Sequence, residues 1–163
     1  MRIISGKYRG KKLKGFDIAG TRPTMDRVKE SLFAMIQNKV LDSVCLDLFA
    51  GSGALGIEAI SMGALECDFV DNSKEAIKML KENTKDITES LNIINSDYKK
   101  HLKTVSKKYD IVFLDPPYHN NVLNKAIKYI IENNLLNEGG IIVCEYTDSM
   151  IIDMILLIKI VNL

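Results

Sequence analysis

A doubly wound, mainly parallel α/β sheet is the fold class this sequence predicts, on three observations. Short apolar runs alternate with helical stretches from Ser43 onward, one run ends in a glycine-rich loop that opens a helix, and another stops at Asp-Pro-Pro-Tyr. The alternation places strands at 44–50, 66–71, 91–96, 109–114 and 140–145, with helices at 53–62, 73–84, 98–105 and 121–133 between them. Right-handed crossovers and a reversal after the third strand would set the first and fourth strands side by side. A ligand crevice then lies at the carboxyl ends of those strands.

The segment ahead of this alternation is basic. Between Met1 and Phe16 stand Arg2, Lys7, Arg9, Lys11, Lys12 and Lys14 and no acid, followed by Arg22, Arg27 and Lys29. Turns at Ser5-Gly6 and Arg9-Gly10 predict a small hairpin or arm, and its charge reads either as a phosphate-facing surface or as a solvated edge that blocks strand pairing. After Pro23 a helical pattern carries Val28, Leu32, Met35 and Ile36 on one face, with Thr24 or Asp26 available as its cap.

The 163 residues, with a formal net charge of +1, fit one domain with a real core. Residues 1–20 read as the basic arm, 21–149 as the α/β domain and 150–163 as an atypical tail. Cys45, Cys67 and Cys144 stand far apart inside apolar runs and form no CxxC pair, so they read as reduced core thiols of a cytoplasmic protein, with neither disulfides nor zinc. No apolar stretch approaches the ~20 residues of a membrane span, and the N-terminus lacks the apolar core of a signal peptide. His101 and His119 have no carboxylate or cysteine at metal-ligand spacing and read as surface residues; no metal is expected.

The run from Cys45 to Gly56 is a buried strand ending in GxGxxG. Gly51 and Gly53, with Ser52 between them, let the backbone approach a nucleotide-like ligand, and Asp71, followed by Asn72, ends the next strand where a carboxylate can hold ribose hydroxyls. The pattern points to an adenosine-containing cofactor and does not itself choose between NAD and S-adenosylmethionine. A P-loop is excluded, because no lysine and hydroxyl follow Gly56. Asp47, a carboxylate inside a buried strand, needs a partner, which a cofactor ammonium or the loop amides would supply. Asp97 ends the third strand and reads either as an acceptor for an adenine amine or as a helix cap.

The segment Asp115-Pro116-Pro117-Tyr118 sits one strand past the switch point. An exocyclic base amine is a poor nucleophile because its lone pair is delocalised into the ring. Acceptors aimed at its N–H groups favour the attacking pyramidal form, and Asp115 with the Pro116 carbonyl can provide two. Consecutive prolines hold those carbonyls with little freedom to lose, and the Tyr118 ring can stack on a flipped-out base. An ordinary strand-terminating turn is the alternative.

Together the stretches MRIISGKYRGKKL, TRPTMDRVKESLFAMI, LDLFAGSGALGIEAISMGA, FVDNS and DIVFLDPPY resemble the bacterial ribosomal RNA small-subunit methyltransferase D family, whose members are 16S rRNA guanine-N2 methyltransferases. The resemblance covers residues 1 to about 145. It implies a Rossmann-like methyltransferase fold, S-adenosylmethionine as cofactor, and as partner ribosomal RNA within an assembling small subunit, met by a monomer. By position it implies cofactor contacts at Gly51, Gly53, Asp71 and Asp97 and a target-amine site from Asp115 to Tyr118. It also implies RNA-facing residues in the basic arm (Lys7, Arg9, Lys11) and at Arg22, Thr24 and Arg27. The rival readings are adenine-N6 methylation, an NAD-linked oxidoreductase and an RNA-binding module without turnover.

The end of the chain departs from the family pattern. From Met150 to Leu163 eleven of fourteen residues are apolar, with neither helical nor strand periodicity, and no KYG-like segment is visible. The expectation is a C-terminal antiparallel strand pair that is missing or altered by truncation or a frameshift, leaving the fifth strand uncovered.

Overall fold

The structure, a computed structural model, describes residues 1–15, 22–117, 120–148 and 151–159. The elements run α1 (Arg22–Val40), β1 (Val44–Asp47), α2 (Ala54–Ser61), β2 (Glu66–Asp71), α3 (Lys74–Thr84), β3 (Ser90–Asn95), α4 (Tyr98–Thr104), β4 (Tyr109–Leu114), α5 (Asn120–Glu132), β5 (Leu136–Asp148) and β6 (Ile151–Lys159). They form one sheet in the order β3-β2-β1-β4-β5-β6. The first five strands are parallel, and β1 sits between β2 and β4 as the switch point requires. The assigned β1 stops short of the expected 44–50. Its backbone nevertheless keeps pairing, with Leu48 N–H on the Phe113 carbonyl at 3.1 Å and Ala50 N–H on Val70 at 3.0 Å.

Strand alternation sends side chains to two cores. Cys45, Phe69, Ile111, Phe113 and Val143 meet α1, α2 and α3 through Leu32, Phe33, Ile36, Ile57, Ile60 and Leu80. On the other face Leu46, Val70, Val112, Leu114 and Ile142 meet Leu102 of α4 and Leu123, Ala126 and Ile130 of α5. All three cysteines are buried and none forms a disulfide among the described residues.

Several expectations need correction. The α1 stripe is Leu32, Phe33, Ile36 and Val40, while Met35 is 58% exposed. With α1 starting at Arg22, Thr24 and Asp26 fall inside the helix rather than at its cap position. His101 is buried, not a surface residue; it lies 3.5 Å from the Tyr109 hydroxyl, and burial holds its pKa below the ordinary value. His119 lies outside the described residues. The fifth strand is not left uncovered: β6 pairs with it antiparallel along Cα partners from Asp148↔Ile151 to Ile141↔Lys159. The tail reads as aperiodic because only Asp153 and Lys159 interrupt the apolar run of β6, too few for an alternation to show.

The N-terminal residues form the expected hairpin, with an Arg2↔Lys12 antiparallel bridge and Ile3 N–H bonded to the Lys11 carbonyl at 2.9 Å. Ile3 and Leu13 anchor it in the first core. Its clasp is Glu58 of α2, 1% exposed, which accepts Ile4 N–H at 3.1 Å and Ser5 N–H at 2.8 Å and pairs with buried Lys29 of α1 at 3.0 Å. Lys29 also donates to the Arg2 carbonyl at 2.6 Å.

Candidate active site

β1, β2 and β4 bring Asp47, Asp71 and Asp115 to one end of the sheet, around the loop that enters α2. Gly53 takes φ of 82° at the N-terminus of α2, a left-handed conformation, and a Cβ there would sit 2.3 Å from the Leu80 side chain. At Gly56 a Cβ would meet the Phe69 ring at 2.3 Å, so this third glycine serves the packing of α2 on β2. The loop is fixed from two sides. Asp71 accepts Gly51 N–H at 2.9 Å and Ser73 N–H at 2.8 Å, while Asn83 of α3 donates to the Ser52 carbonyl at 2.9 Å.

Asp47 is 2% exposed, and Gly56 N–H reaches its carboxylate at 3.0 Å. Burial is the main cause that pushes its pKa up, to about 7; the charges of Asp115 and Asp71 push the same way, and the Gly56 bond opposes them. A buried acid of that kind, opening toward a glycine loop, fits a cationic group. Asp71, half-buried at the end of β2 with exposed Asn72 after it, retains acceptor capacity beyond its two amide bonds, as hydroxyl binding requires. Asp97 caps α4, accepting Lys99 N–H at 2.9 Å and Lys100 N–H at 3.3 Å through a single oxygen. The cap reading of this residue is therefore met, and its exposed position at the end of β3 is compatible with a ligand contact as well.

Asp115, Pro116 and Pro117 follow β4 directly, with β4 and β1 in register at Asp47↔Phe113. Desolvation by the surrounding chain raises the Asp115 carboxyl above the ordinary aspartate range. Tyr118 lies outside the described residues, as do the side chains of Arg22 and Thr24.

The cations expected to face RNA do not form one surface. Arg9 and Arg27 line a cleft of about 570 Å³ between the hairpin and α1, together with Arg2. Lys7 and Lys11 are on the hairpin's other side, 2.6 Å from Glu89 and 3.4 Å from Asp86, and Lys14 is 3.5 Å from Glu82. Spacing could not reveal that pairing, because the acids are some seventy or more residues away in sequence. Sequence reasoning also missed Asn83 and Glu58. A lone acid in the apolar helix ALGIEAIS was the available signal for Glu58; nothing in the sequence marked Asn83.

The raised Asp47 pKa makes a pH prediction. The unfolded chain loses this proton near pH 3.8 and the folded chain near pH 7, so the group's contribution to stability falls as pH rises across that window and is level outside it. Asp47→Asn should stabilise the ligand-free chain by about 1–3 kcal/mol at pH 8 and by little at pH 4. Urea unfolding at the two pH values measures this, and an equal effect at both would be inconsistent with a neutral buried Asp47.

The chain matches the family model described as Conserved hypothetical protein 95 over residues 1–162. It is 41% identical to the ribosomal RNA small subunit methyltransferase D of Haemophilus influenzae, across 89% of this chain and 78% of that protein. It is 42% identical to the putative rRNA methyltransferase YlbH of Bacillus subtilis, across 90% and 82% respectively. Among solved structures, the putative methyltransferase yhhF from Escherichia coli superposes with a TM-score of 0.80 at 33% identity, covering 90% of this chain and 80% of its own.

Proposed function

From the chain's membership of the ribosomal RNA small subunit methyltransferase D family, we propose that it transfers a methyl group from S-adenosylmethionine to the exocyclic N2 amine of a guanine in small-subunit ribosomal RNA. The observation that carries the amine chemistry is the placement of Asp115 and its prolines at the end of β4, beside the glycine loop of β1.

S-adenosylmethionine supplies an electrophilic methyl group on a sulfonium centre. Asp71 and Asp97 would hold the adenosine end, Gly51, Ser52 and Gly53 would allow close backbone approach, and Asp47 would face the ammonium. Asn72 borders the ribose. Asp115 and the Pro116 carbonyl accept the two N–H groups of the guanine amine and concentrate its lone pair on nitrogen as positive charge develops there. Pro117 fixes the turn and Tyr118 stacks on the extruded base. Bound there, S-adenosylmethionine would supply the methyl carbon for the new C–N bond and keep the electron pair of its broken C–S bond. One amine proton then leaves to Asp115, whose raised pKa makes it the stronger base.

The RNA-facing set is Arg9 and Arg27 in the hairpin–α1 cleft, Arg22 and Thr24 at the start of α1, and Lys7 and Lys11 where RNA displaces their internal partners. The enzyme works as a monomer in the cytoplasm on an assembling small subunit, with residues 1–20 as its arm, 21–149 as its methyltransferase domain and 150–163 as a tail closing the sheet.

The test is methylation of small-subunit ribosomal RNA from cells lacking the gene, followed by mass spectrometry of its nucleosides. N2-methylguanosine is the expected product. N6-methyladenosine would move the assignment to the adenine alternative, and calorimetric preference for NAD over S-adenosylhomocysteine would remove methyl transfer altogether.

A further inference from the structure

Lys7, Lys11 and Lys14 of the hairpin each lie within 3.5 Å of an acid of the fold, whereas most cations of another basic surface do not. α4 and α5 lie side by side on the second core, and a groove of about 210 Å³ between them is lined by Lys99, Lys103, Lys125 and Lys128 with Tyr98 and Tyr129 among them. All four lysines are exposed, and the two tyrosines are half-buried. Glu132 is the single acid of the lining, 3.8 Å from Lys128 in an exposed pair four residues apart, which is worth little. Among the described residues Lys99, Lys103 and Lys125 have no carboxylate within ion-pair distance.

Geometry ties this groove to the site. Tyr98 follows Asp97 directly and packs on Phe49 of the glycine-loop segment at 5.3 Å between ring centroids. α5 starts three residues after Pro117, and Lys125 lies five residues further on, about 8 Å along the helix axis. Lys99 and Lys103, like Lys125 and Lys128, are neighbours on their helix surfaces at about 5–6 Å. Two converging rows of cations with aromatic rings between them match a single strand, whose phosphates take the charges and whose bases take the rings.

We propose that the α4–α5 groove binds the single-stranded RNA segment flanking the target nucleotide. This rests on the reading that the substrate is RNA. α4 and α5 both begin just past the carboxyl ends of parallel strands, at the end of the sheet that carries Asp71 and Asp115, so a strand lying in the groove can pass to the methyl-transfer site within a few nucleotides. Neutral lysine variants remove charge without touching the cofactor crevice or either core.

The experiment measures binding of a fluorescent 20-nucleotide single-stranded RNA of mixed sequence to the full chain across a potassium chloride series. It compares wild type with K99Q/K103Q/K125Q/K128Q and with K7Q/K11Q/K14Q. The groove variant should lose at least tenfold in affinity at low salt, and its log–log salt slope should flatten by about three units, from four phosphates at roughly 0.7 each. S-adenosylhomocysteine affinity and melting temperature should stay at wild-type values, and the hairpin variant should lose less RNA affinity than the groove variant. Wild-type affinity and slope in the groove variant, or a larger loss from the hairpin set, overturns the proposal while leaving the RNA reading intact. Failure of the wild-type chain to bind RNA overturns both.

Discussion

Asp115→Ala is expected to cut methyl transfer by roughly a hundredfold or more, equivalent to about 2.7 kcal/mol of lost transition-state stabilisation, while S-adenosylmethionine affinity stays within a few-fold of wild type. The asymmetry follows from position. Asp115 directly follows β4, outside the Gly51–Gly53 loop, and in the proposed reaction it accepts an amine proton whose charge grows only as the methyl group transfers. Asp71→Ala should do the reverse and weaken cofactor binding by about 1.5–3 kcal/mol, because a charged acceptor is lost and the Gly51 and Ser73 amides lose their partner. Single-turnover kinetics beside calorimetry separate the two effects. Unchanged turnover in the Asp115 variant would sink its assignment, and wild-type cofactor affinity in the Asp71 variant would remove that residue from the site. Because Asp115 works ionised and its pKa is raised, the acid limb of the rate profile should lie above the ordinary aspartate range.

Glu58→Ala should be the most destabilising single change outside the apolar core, at about 3–5 kcal/mol. It strands the Lys29 ammonium, 5% exposed, and strips the acceptor from the Ile4 and Ser5 amides. Glu58→Gln keeps a carbonyl oxygen for the hairpin amides and should cost less. Among the described residues the clasp is the one place where hairpin, α1 and α2 meet through buried charge, so its loss should free the hairpin before the sheet unfolds. Urea unfolding gives the stability change, and hydrogen exchange at Ile4 and Ser5 gives the local one. A loss below about 1 kcal/mol, or protection of those amides unchanged, would show that hydrophobic anchoring by Ile3 and Leu13 suffices.

The parallel strands were legible because each is a short apolar run bounded by turn residues, and β2 and β4 match their expected limits, 66–71 and 109–114. The gathering of Asp47, Asp71 and Asp115 at one end of the sheet was legible too, since each stands at or just after the carboxyl end of a parallel strand. Met35 was misread because helical spacing leaves two overlapping stripes in α1. Packing against Phe113 selected the one with Phe33, whose ring lies 5.8 Å from it. The tail was misread for the opposite reason: in β6 only Asp153 and Lys159 interrupt the apolar run, too few to show alternation, and its register with β5 is what identifies it as a strand.

By itself the sequence determined the order of elements, the glycine-rich loop after β1 and the acids at the strand ends, because these depend on local backbone conformation and on residues close together in the chain. Only the tertiary structure decided which charges are available. Lys7, Lys11 and Lys14 meet Glu89, Asp86 and Glu82 across the fold, Lys29 is drawn into a buried pair with Glu58, and the α4–α5 lysines are left facing water. A composition counts all of these as equal positive charges. Coulomb interactions act through space and weaken with distance and screening, so the side chain that folding places opposite each lysine determines whether its charge reaches a partner.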